Sequence, residues 1–329
     1  MLGSKCAGKH DAGSDLIILS GNSNPELVKE IAEHLNTGVA DVLCDKFPEG
    51  EIQVQIRQNV RGKDVFIVQS TCTPPNDNLM ELLILIDAAK RASARRVTAV
   101  LPFYGYARQD RKDRPRVPIT AKLVANLIMK SGADRVLTMD LHAGQLQGFF
   151  DIPVDHLYSI NVMGDYLLKK SLKDLTVVSP DAGGIKMARA YAGLLECPLA
   201  IVDKRREDAS KTHVNQLIGS VVGKNVIITD DMISTGGSLV EAAKALKDAG
   251  ALDVYACIVH PILVGPAIER LANSALKELI VTNSIPLAEE KRIPNIRQLS
   301  VAGLLSEAIY RIHNDESVSS LFSKVGVEA

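Results

Sequence analysis

The sequence predicts an α/β protein of two similar domains, each a mainly parallel sheet flanked by helices. Short runs of β-branched and apolar residues alternate with amphipathic helical patterns along nearly the whole chain, which is typical of βα units. The length of 329 residues suits two domains of ordinary size, and the alternation begins again after about residue 150. Each half therefore has enough βα units to build a sheet of its own.

The first half alternates strands with helices, except for a polar turn at Pro48, Gly50 and Glu51 that indicates a hairpin or flap. Its first helix starts at Pro25, where the missing N–H of proline does no harm. The predicted elements in order are strand 16–20, helix 25–35, strand 64–69, helix 76–92, strand 96–103, helix 119–131 and strand 135–141.

The second half repeats the pattern, with strands at 175–181, 199–204, 225–231, 253–260 and 278–283 and helices at 184–195, 236–249 and 265–272. The charged, non-periodic stretch 204–215 is predicted to be a mobile loop. A last helix over 301–313 is short of strands to pair with, so we expect it to pack back onto the first half. The domain bounds that follow are a disordered lead-in over 1–15, a first domain over 16–150, a second domain over 151–300, the C-terminal helix over 301–322 and a tail over 323–329.

Composition argues against several classes of partner. A net charge of −1 and an aromatic content of 4% without tryptophan disfavour a nucleic-acid surface. No apolar run is long enough to cross a bilayer, and residues 1–15 lack the apolar core of a secretory signal. Five scattered cysteines indicate reduced thiols rather than disulfides or a zinc site. We therefore expect a cytoplasmic protein that binds neither nucleic acid nor membranes.

The most informative motif is a buried strand that ends at Asp230 and Asp231 and is followed by a small, glycine-rich turn into an amphipathic helix. Backbone N–H groups at a helix start lack intrahelical partners and favour an anion, and glycine lets a phosphate approach closely. The aspartates would repel a bare phosphate, so they suit sugar hydroxyls or magnesium. The alternative is an ordinary turn with solubilising acids. The turn residues are Ser234, Thr235, Gly236, Gly237 and Ser238.

The segment 106–116 carries five basic residues just after a strand. Arginine binds phosphate oxygens through two parallel hydrogen bonds, so the segment suits a nucleotide triphosphate. A solvated charged loop is the alternative. The carboxyl end of a parallel strand is where open α/β sheets bind ligands, and this position favours the binding role.

Three more strand ends carry polar residues. Asp140 and His142 would point to the same side if their strand continued, and could then share a divalent cation; a lone histidine is otherwise more often structural. Asp181 precedes two glycines and a helix, which suits phosphate or metal. The basic stretch 203–206 could neutralise charge during phosphoryl transfer, or simply form a surface face. Together the strand ends predict an enzyme that handles several phosphates with magnesium.

These motifs resemble a known family. The Asp230–Asp231 turn is similar to the phosphoribosyl-diphosphate motif of the type I phosphoribosyltransferase fold. The ordered matches extend from about residue 16 to about residue 322 and resemble the ribose-phosphate diphosphokinases, also called phosphoribosyl pyrophosphate synthetases. They include the segments 76–82, 106–110, 138–142, 148–151 and 179–184.

The resemblance implies that ATP and ribose 5-phosphate give AMP and 5-phosphoribosyl 1-diphosphate, with Mg²⁺ as the cofactor. It implies that Lys204 and Arg206 are catalytic. It also implies a homo-oligomer, at least a dimer and commonly a hexamer, in which a neighbouring subunit helps to frame the adenine. The implied ATP-binding residues are Phe47, Glu49, Gly50, Glu51, Arg108, Gln109, Asp113 and His142. The implied ribose 5-phosphate residues are Arg206, Asp230, Asp231, Ser234, Thr235, Gly236, Gly237 and Ser238, and the implied metal residues are Asp140, His142 and Asp181.

The chain departs from the family pattern at three positions. Ser234 stands where many members have aspartate, which alters the charge near the sugar, and Ser238 replaces a threonine but keeps the hydroxyl. Pro115 stands where members controlled by phosphate and ADP often have serine, so the resemblance does not establish that control for this chain. Two other functions stay open: a phosphoribosyltransferase that uses the same turn, and a non-catalytic regulator on the same fold.

Overall fold

The computed structural model describes residues 15–208 and 211–321, and between residues 203 and 216 it describes the backbone alone. The chain forms two compact units. The first extends from residue 15 to Tyr158 and also contains Ser284–Pro286 and Ser300–Leu321. The second contains Ser159–Asn283 and Leu287–Leu299. Each unit has a buried apolar core of its own, built on its own sheet.

The first unit is built on a parallel sheet of five strands in the order β1-β4-β5-β6-β7. The central strands are buried on both faces, which explains their continuous apolar runs. The elements are β1 (Leu16–Ser20), α1 (Pro25–His34), β2 (Val42–Lys46), β3 (Ile52–Ile56), β4 (Asp64–Val68), α2 (Pro75–Arg91), β5 (Arg96–Leu101), α3 (Thr120–Ser131), β6 (Arg135–Met139), β7 (Val154–Leu157) and α8 (Ala302–His313).

Local sequence explains where the first helix begins. Asn24 caps α1 by accepting a hydrogen bond from the Leu27 N–H at 3.3 Å, and Pro25 takes the first helical position. Leu27 and Ile31 lie four residues apart on the buried face. The helix therefore starts and turns its apolar side inward as its sequence predicts.

The predicted hairpin is confirmed as the antiparallel pair β2–β3. Its turn is closed by hydrogen bonds from the Phe47 N–H to the Glu51 carbonyl and from the Gly50 N–H to the Phe47 carbonyl, both 2.8 Å. Gly50 has a φ of +94°, a conformation that glycine adopts without strain. The hairpin therefore presents a tight polar turn.

The second unit is built on a sheet of seven strands in the order β10-β9-β8-β11-β12-β13-β14, parallel except for the β10 edge. This confirms the predicted fold class of two mainly parallel sheets flanked by helices. The elements are α4 (Ile160–Lys170), β8 (Leu175–Ser179), α5 (Ile185–Leu194), β9 (Leu199–Asp208), β10 (Lys211–Ile218), β11 (Asn225–Ile233), α6 (Gly237–Asp248), β12 (Val254–Pro261), α7 (Ala267–Ala272), β13 (Leu276–Thr282) and β14 (Ile296–Leu299).

The prediction of a loop over 204–215 is wrong for the backbone that the structure describes. Its residues belong to β9 and β10, which pair antiparallel, with Val214 opposite Lys204 and Thr212 opposite Arg206. Backbone groups in a strand pair satisfy one another whatever the side chains are. A charged sequence without apolar alternation can therefore form a hairpin at the edge of a sheet.

Four elements, β7, α4, β10 and β14, were not predicted from the sequence, and the predicted domain junction lies near residue 150. The strand β7 pairs in parallel with β6, so the first unit continues through Tyr158. The C-terminal helix α8 belongs to the first unit and packs against α1. Within the described part of the chain, no helix is long and apolar enough to cross a membrane.

Candidate functional site

The strand β11 lies between β8 and β12 in the second sheet, and it carries Asp230 and Asp231 near its carboxyl end. The connection to α6 follows directly. The carboxyl ends of parallel strands are the usual ligand edge of an open α/β sheet. The strand continues to Ile233, two residues beyond its predicted end.

Three successive main-chain oxygens, from the last residue of β11 into the turn that follows, accept hydrogen bonds from the β12–α7 region. The Ile233 oxygen accepts from the N–H groups of Ile262 and Leu263 at 3.0 and 3.2 Å, and the Ser234 oxygen accepts from the Val264 N–H at 3.0 Å. The Thr235 oxygen accepts from Arg270 Nη1, also at 3.0 Å. These bonds fix the orientation of three successive peptide groups.

The opposite sides of these peptides carry N–H donors. No residue whose contacts the structure describes accepts a hydrogen bond from the backbone N–H groups of Ser234 to Ser238. Gly236 has a φ of +74°, and Gly237 opens α6. A row of free donors at a helix start, where the helix dipole is positive, is suited to bind an anion.

The two carboxyl groups beside the turn interact with each other. The Asp231 N–H donates to Asp230 Oδ1 at 2.9 Å. Burial, followed by the negative charges of Asp231 and Asp181, raises the pKa of Asp230 to about 8. Near neutral pH the protein alone therefore holds one proton at this site, and a bound cation or hydroxyl donors would favour its release.

Asp181 lies in the loop between β8 and α5 and is exposed. Its Oδ1 accepts from the N–H groups of Gly183 and Gly184 at 2.8 and 3.1 Å. Its Oδ2 accepts no hydrogen bond from a described side chain or backbone group. One carboxylate oxygen thus stabilises the loop, and the other is available to a ligand.

Asp140 and His142 follow β6 in the first unit. The assumption that the strand continues is wrong, because β6 ends at Met139 and Asp140 has a φ of +41°. Asp140 is buried and His142 is exposed, so the two side chains lie in different environments. The strand therefore ends before both residues, and the alternation of side chains along a strand does not put them on one face.

His156 on β7 contacts the segment after β6, a contact that the sequence did not predict. Its Nε2 accepts a hydrogen bond from the Leu141 N–H at 2.9 Å, and its Nδ1 lies 3.2 Å from Gln147 Nε2. The buried ring therefore holds the segment between Asp140 and His142. No sequence signal could have found it, because the contact depends on the pairing of β7 with β6.

The basic segment 106–116 lies at the carboxyl end of β5 and leads to α3. The Ala121 N–H donates to the Gln109 carbonyl at 3.2 Å, and the Thr120 hydroxyl bonds to Gln109 Oε1, so Gln109 attaches the segment to α3. Arg108 is exposed, and Asp113 lies 3.7 Å from Arg114 Nε. The cations are therefore presented to solvent from an anchored backbone.

The remaining predicted residues lie on the two hairpins. Phe47, Glu49 and Glu51 are exposed at the β2–β3 turn, with Phe47 42% exposed. Lys204 and Arg206 lie on β9, but their side chains are outside the described residues. No group of three or more His, Cys, Asp or Glu side chains arranged to hold a metal occurs among the described residues. Asp140 and His142 belong to the first unit and Asp181 to the second.

Two family models match the chain. Residues 16–132 match the N-terminal domain of ribose phosphate pyrophosphokinase, and residues 207–323 match the phosphoribosyl synthetase-associated domain. The chain belongs to the ribose-phosphate pyrophosphokinase family.

Relatives and a solved structure agree with this assignment to the ribose-phosphate pyrophosphokinases. The chain is 56% identical over 311 residues to the ribose-phosphate pyrophosphokinase of Caldanaerobacter subterraneus subsp. tengcongensis, covering 94% of this chain and 98% of the relative. It is 52% identical over 309 residues to that of Bacillus subtilis strain 168, with the same coverage. It is also similar to the crystal structure of phosphoribosylpyrophosphate synthetase from Mycobacterium smegmatis. That match has a TM-score of 0.88 and 43% identity, and it covers 92% of this chain and all of the other.

Proposed function

We propose that this ribose-phosphate pyrophosphokinase transfers the β,γ-diphosphoryl group of ATP to the anomeric hydroxyl of ribose 5-phosphate. The anomeric oxygen forms a bond to the β-phosphorus, the bond from that phosphorus to the α–β bridging oxygen breaks, and AMP leaves. The hydroxyl proton is released to solvent. The products are AMP and 5-phosphoribosyl 1-diphosphate. The observation that carries the proposal is the row of free N–H groups from Ser234 to Ser238, next to a pair of carboxyl groups, in a chain of this family.

In the proposal, the free N–H groups bind the 5-phosphate of the sugar, and the hydroxyls of Ser234, Thr235 and Ser238 add donors. Asp230 and Asp231 accept hydrogen bonds from the ribose hydroxyls. Donors brought to Asp230 by the sugar stabilise its ionised form, which burial otherwise disfavours. The negatively charged 5-phosphate therefore binds at the N–H groups of the turn, and the two aspartates bind only the neutral hydroxyls of the sugar. Arg206 completes the proposed set of ribose 5-phosphate residues.

ATP is proposed to bind at the carboxyl edge of the first sheet. Arg108 and Gln109 bind the phosphates. Asp113, which follows β5, and His142, which follows β6, complete the proposed ATP-binding set. Phe47, Glu49, Gly50 and Glu51 frame the adenine of a neighbouring subunit in a homo-oligomer. The support is the exposure of these side chains at a well-hydrogen-bonded turn. Lys204 and Arg206 are proposed to stabilise the charge that develops on the transferred group.

Mg²⁺ is the proposed cofactor. The candidate ligands are Asp181 in the second unit and, separately, Asp140 and His142 in the first unit. The fit rests on Asp181, whose Oδ2 is available within the described structure, since magnesium prefers carboxylate oxygen and retains several waters. When bound, Mg²⁺ neutralises charge on the triphosphate. A cytoplasmic location is proposed because the four cysteines in the described residues form no disulfide there.

A coupled assay tests the proposal. Purified protein should release AMP only when ATP, ribose 5-phosphate and Mg²⁺ are all present, and phosphorus NMR should show the diphosphate on the sugar. The variant Lys204→Ala should lose turnover by about a hundredfold or more, as when a preorganised charge donor is removed. AMP release without ribose 5-phosphate would contradict the function. Conversion of the activated sugar and a nucleobase to a nucleotide would identify a phosphoribosyltransferase instead.

A further inference from the structure

The segment Asn76 to Leu82 was part of the family resemblance but has no role in the proposed chemistry. It forms the first turns of α2, the helix that follows β4. Polar side chains from this segment contact two loops and the end of β2. The contacts are Asn76 with Tyr106, Asp77 with Lys46 and Glu81 with Asn22.

Glu81 is the centre of these contacts and is only 6% exposed. Its Oε1 accepts from the Asn22 N–H at 2.6 Å and from Gln69 Nε2 at 2.7 Å. Its Oε2 accepts from Asn22 Nδ2 at 2.8 Å. Three N–H donors around a buried carboxylate form charge-assisted hydrogen bonds, which are among the stronger ones in proteins.

The same network extends to the hairpin that carries the Phe47–Glu51 turn. Asn22 Nδ2 also donates to the Cys44 carbonyl on β2 at 3.0 Å. Burial, followed by the charge of Glu81, raises the pKa of the Cys44 thiol above its ordinary range. The thiol therefore stays protonated and serves Glu81 as another hydrogen-bond donor.

A second attachment lies one turn nearer the start of α2. Asp77 Oδ2 is 2.5 Å from Lys46 Nζ, at the end of β2 and next to Phe47. Asn76 accepts a hydrogen bond from the Tyr106 hydroxyl, and Tyr106 opens the segment that contains Arg108 and Gln109. The helix α2 thus contacts both the β2–β3 hairpin, through Lys46, and the basic segment 106–116, through Tyr106.

Close packing leaves these loops little freedom. A Cβ on Gly21, the residue before Asn22, would lie 2.3 Å from Gln69 Oε1 and 2.8 Å from Glu81 Oε1. Only glycine fits there, so the Asn22 loop approaches the carboxylate as closely as the backbone allows. The position of the loop is therefore set by Glu81 and Gln69.

We infer that Glu81 is a positioning residue for adenine-nucleotide binding: it holds the β2–β3 hairpin and, through α2, the segment 106–116 in their binding arrangement. The inference rests on the proposed function, which puts ATP at these two segments. Glu81 touches neither substrate in this scheme. It acts through Asn22, Cys44 and the helix.

The variant Glu81→Gln tests this inference. Its amide keeps the shape but puts an NH₂ group against N–H donors. We expect the KM for ATP to rise about tenfold, the factor expected from one lost charge-assisted hydrogen bond. The KM for ribose 5-phosphate and kcat should stay within about twofold. The matched control is Asp87→Asn on the same helix, because Asp87 pairs only with the exposed Arg91 among the described residues, and it should change neither KM.

Two milder variants keep the test decisive if Glu81→Gln does not fold. Asn22→Ala and Asp77→Asn alter exposed or half-buried side chains, and each should raise the KM for ATP about two- to fivefold. Circular dichroism checks the fold, and calorimetry with a non-hydrolysable ATP analogue gives the Kd without turnover. Folded variants with unchanged ATP affinity, or with both KM values raised equally, would overturn the inference. A wild-type protein that binds the analogue but makes no AMP would instead contradict the proposed function.

Discussion

Arg270 Nη1 on α7 donates a hydrogen bond of 3.0 Å to the main-chain oxygen of Thr235, in the turn before α6. The C=O and the next N–H of a trans peptide point in opposite directions. By holding the Thr235 oxygen, Arg270 keeps the Gly236 N–H on the side of the turn away from α7. The same arginine is close to Gly237, where an added Cβ would lie 3.2 Å from Nη1.

Replacing Arg270 should weaken sugar-phosphate binding without slowing the chemistry. We expect Arg270→Ala to raise the KM for ribose 5-phosphate about five- to tenfold, because the peptide that presents the Gly236 N–H becomes free to rotate. The kcat should stay within about twofold, and Arg270→Lys should recover part of the loss. Steady-state kinetics at varied ribose 5-phosphate concentration measure both the KM and kcat of each variant.

The control for this variant is Arg292→Ala. Arg292 also donates to a main-chain oxygen, that of Leu287 at 3.2 Å, and it pairs with Glu289 away from the turn. It should leave the KM for ribose 5-phosphate unchanged. Equal effects of the two variants would show that the Thr235 contact has no special role.

Gly236 and Gly223 offer a matched pair that separates strain from binding. Both have positive φ, +74° and +67°, and a Cβ would meet no close neighbour at either position. Alanine should therefore destabilise the protein by about 1 kcal/mol at both positions. Only Gly236→Ala should also raise the KM for ribose 5-phosphate, because only Gly236 lies in the turn. Urea unfolding measures the stability of both variants, and steady-state kinetics measure their KM for ribose 5-phosphate. An equal KM for ribose 5-phosphate in the two variants would contradict the anion site.

The pKa of Asp230 predicts a pH-dependent stability. In the folded protein burial and Asp231 raise it to about 8, whereas an unfolded chain has an aspartate pKa near 4. Between these two values the folded state keeps a proton that the unfolded state releases. The contribution of Asp230 to the free energy of unfolding is therefore fully present below about pH 4 and is lost as the pH rises towards about 8.

The variant Asp230→Asn removes this pH dependence. Without ligand, its Tm should exceed that of the wild type by about 1–2 °C at pH 8, the shift for about 1 kcal/mol in a protein of this size, and the difference should shrink towards pH 5. Asp248→Asn on the exposed end of α6 is the control. Calorimetric scans across this pH range measure it, and a constant difference would contradict the assignment.

Arg96 should matter for stability but not for binding. It pairs with the fully buried carboxylate of Asp64, with Nε at 2.8 Å from Oδ1, and it donates through Nη2 to the Ile312 carbonyl at 2.7 Å. These contacts lie at the amino ends of β4 and β5, opposite the ligand edge. Arg96→Met should cost about 3 kcal/mol, because a buried carboxylate loses its cation.

Urea denaturation measures this loss, and both KM values should remain those of the wild type. The control is Arg91→Met, whose ion pair with Asp87 is exposed and should contribute less than about 0.5 kcal/mol. A loss of less than about 1 kcal/mol for Arg96→Met would mean that His313, 2.9 Å from Asp64 Oδ2, compensates for the arginine.

Local pattern was enough to predict most of the scaffold. The strand Leu16–Ser20 has the predicted bounds, and α3 starts at Thr120, one residue from the predicted start. The spacing of apolar residues predicts buried strands and amphipathic helices, and this spacing can be read from neighbouring positions in the sequence. The Asp230–Asp231 turn was found for the same reason, because acids, glycines and the following helix are adjacent in sequence.

Contacts between distant residues could not be read in this way. Two examples are the antiparallel pairing of Lys204 with Val214 and the hydrogen bond from the Leu141 N–H to His156. Both depend on which strands become neighbours. Neither Arg270 nor Glu81 lies in a motif whose spacing predicts its partner, since Thr235 and Asn22 are 35 and 59 residues away. Periodicity reports which face of an element is buried, whereas a hydrogen bond requires two side chains to meet. That meeting exists only once the chain has folded.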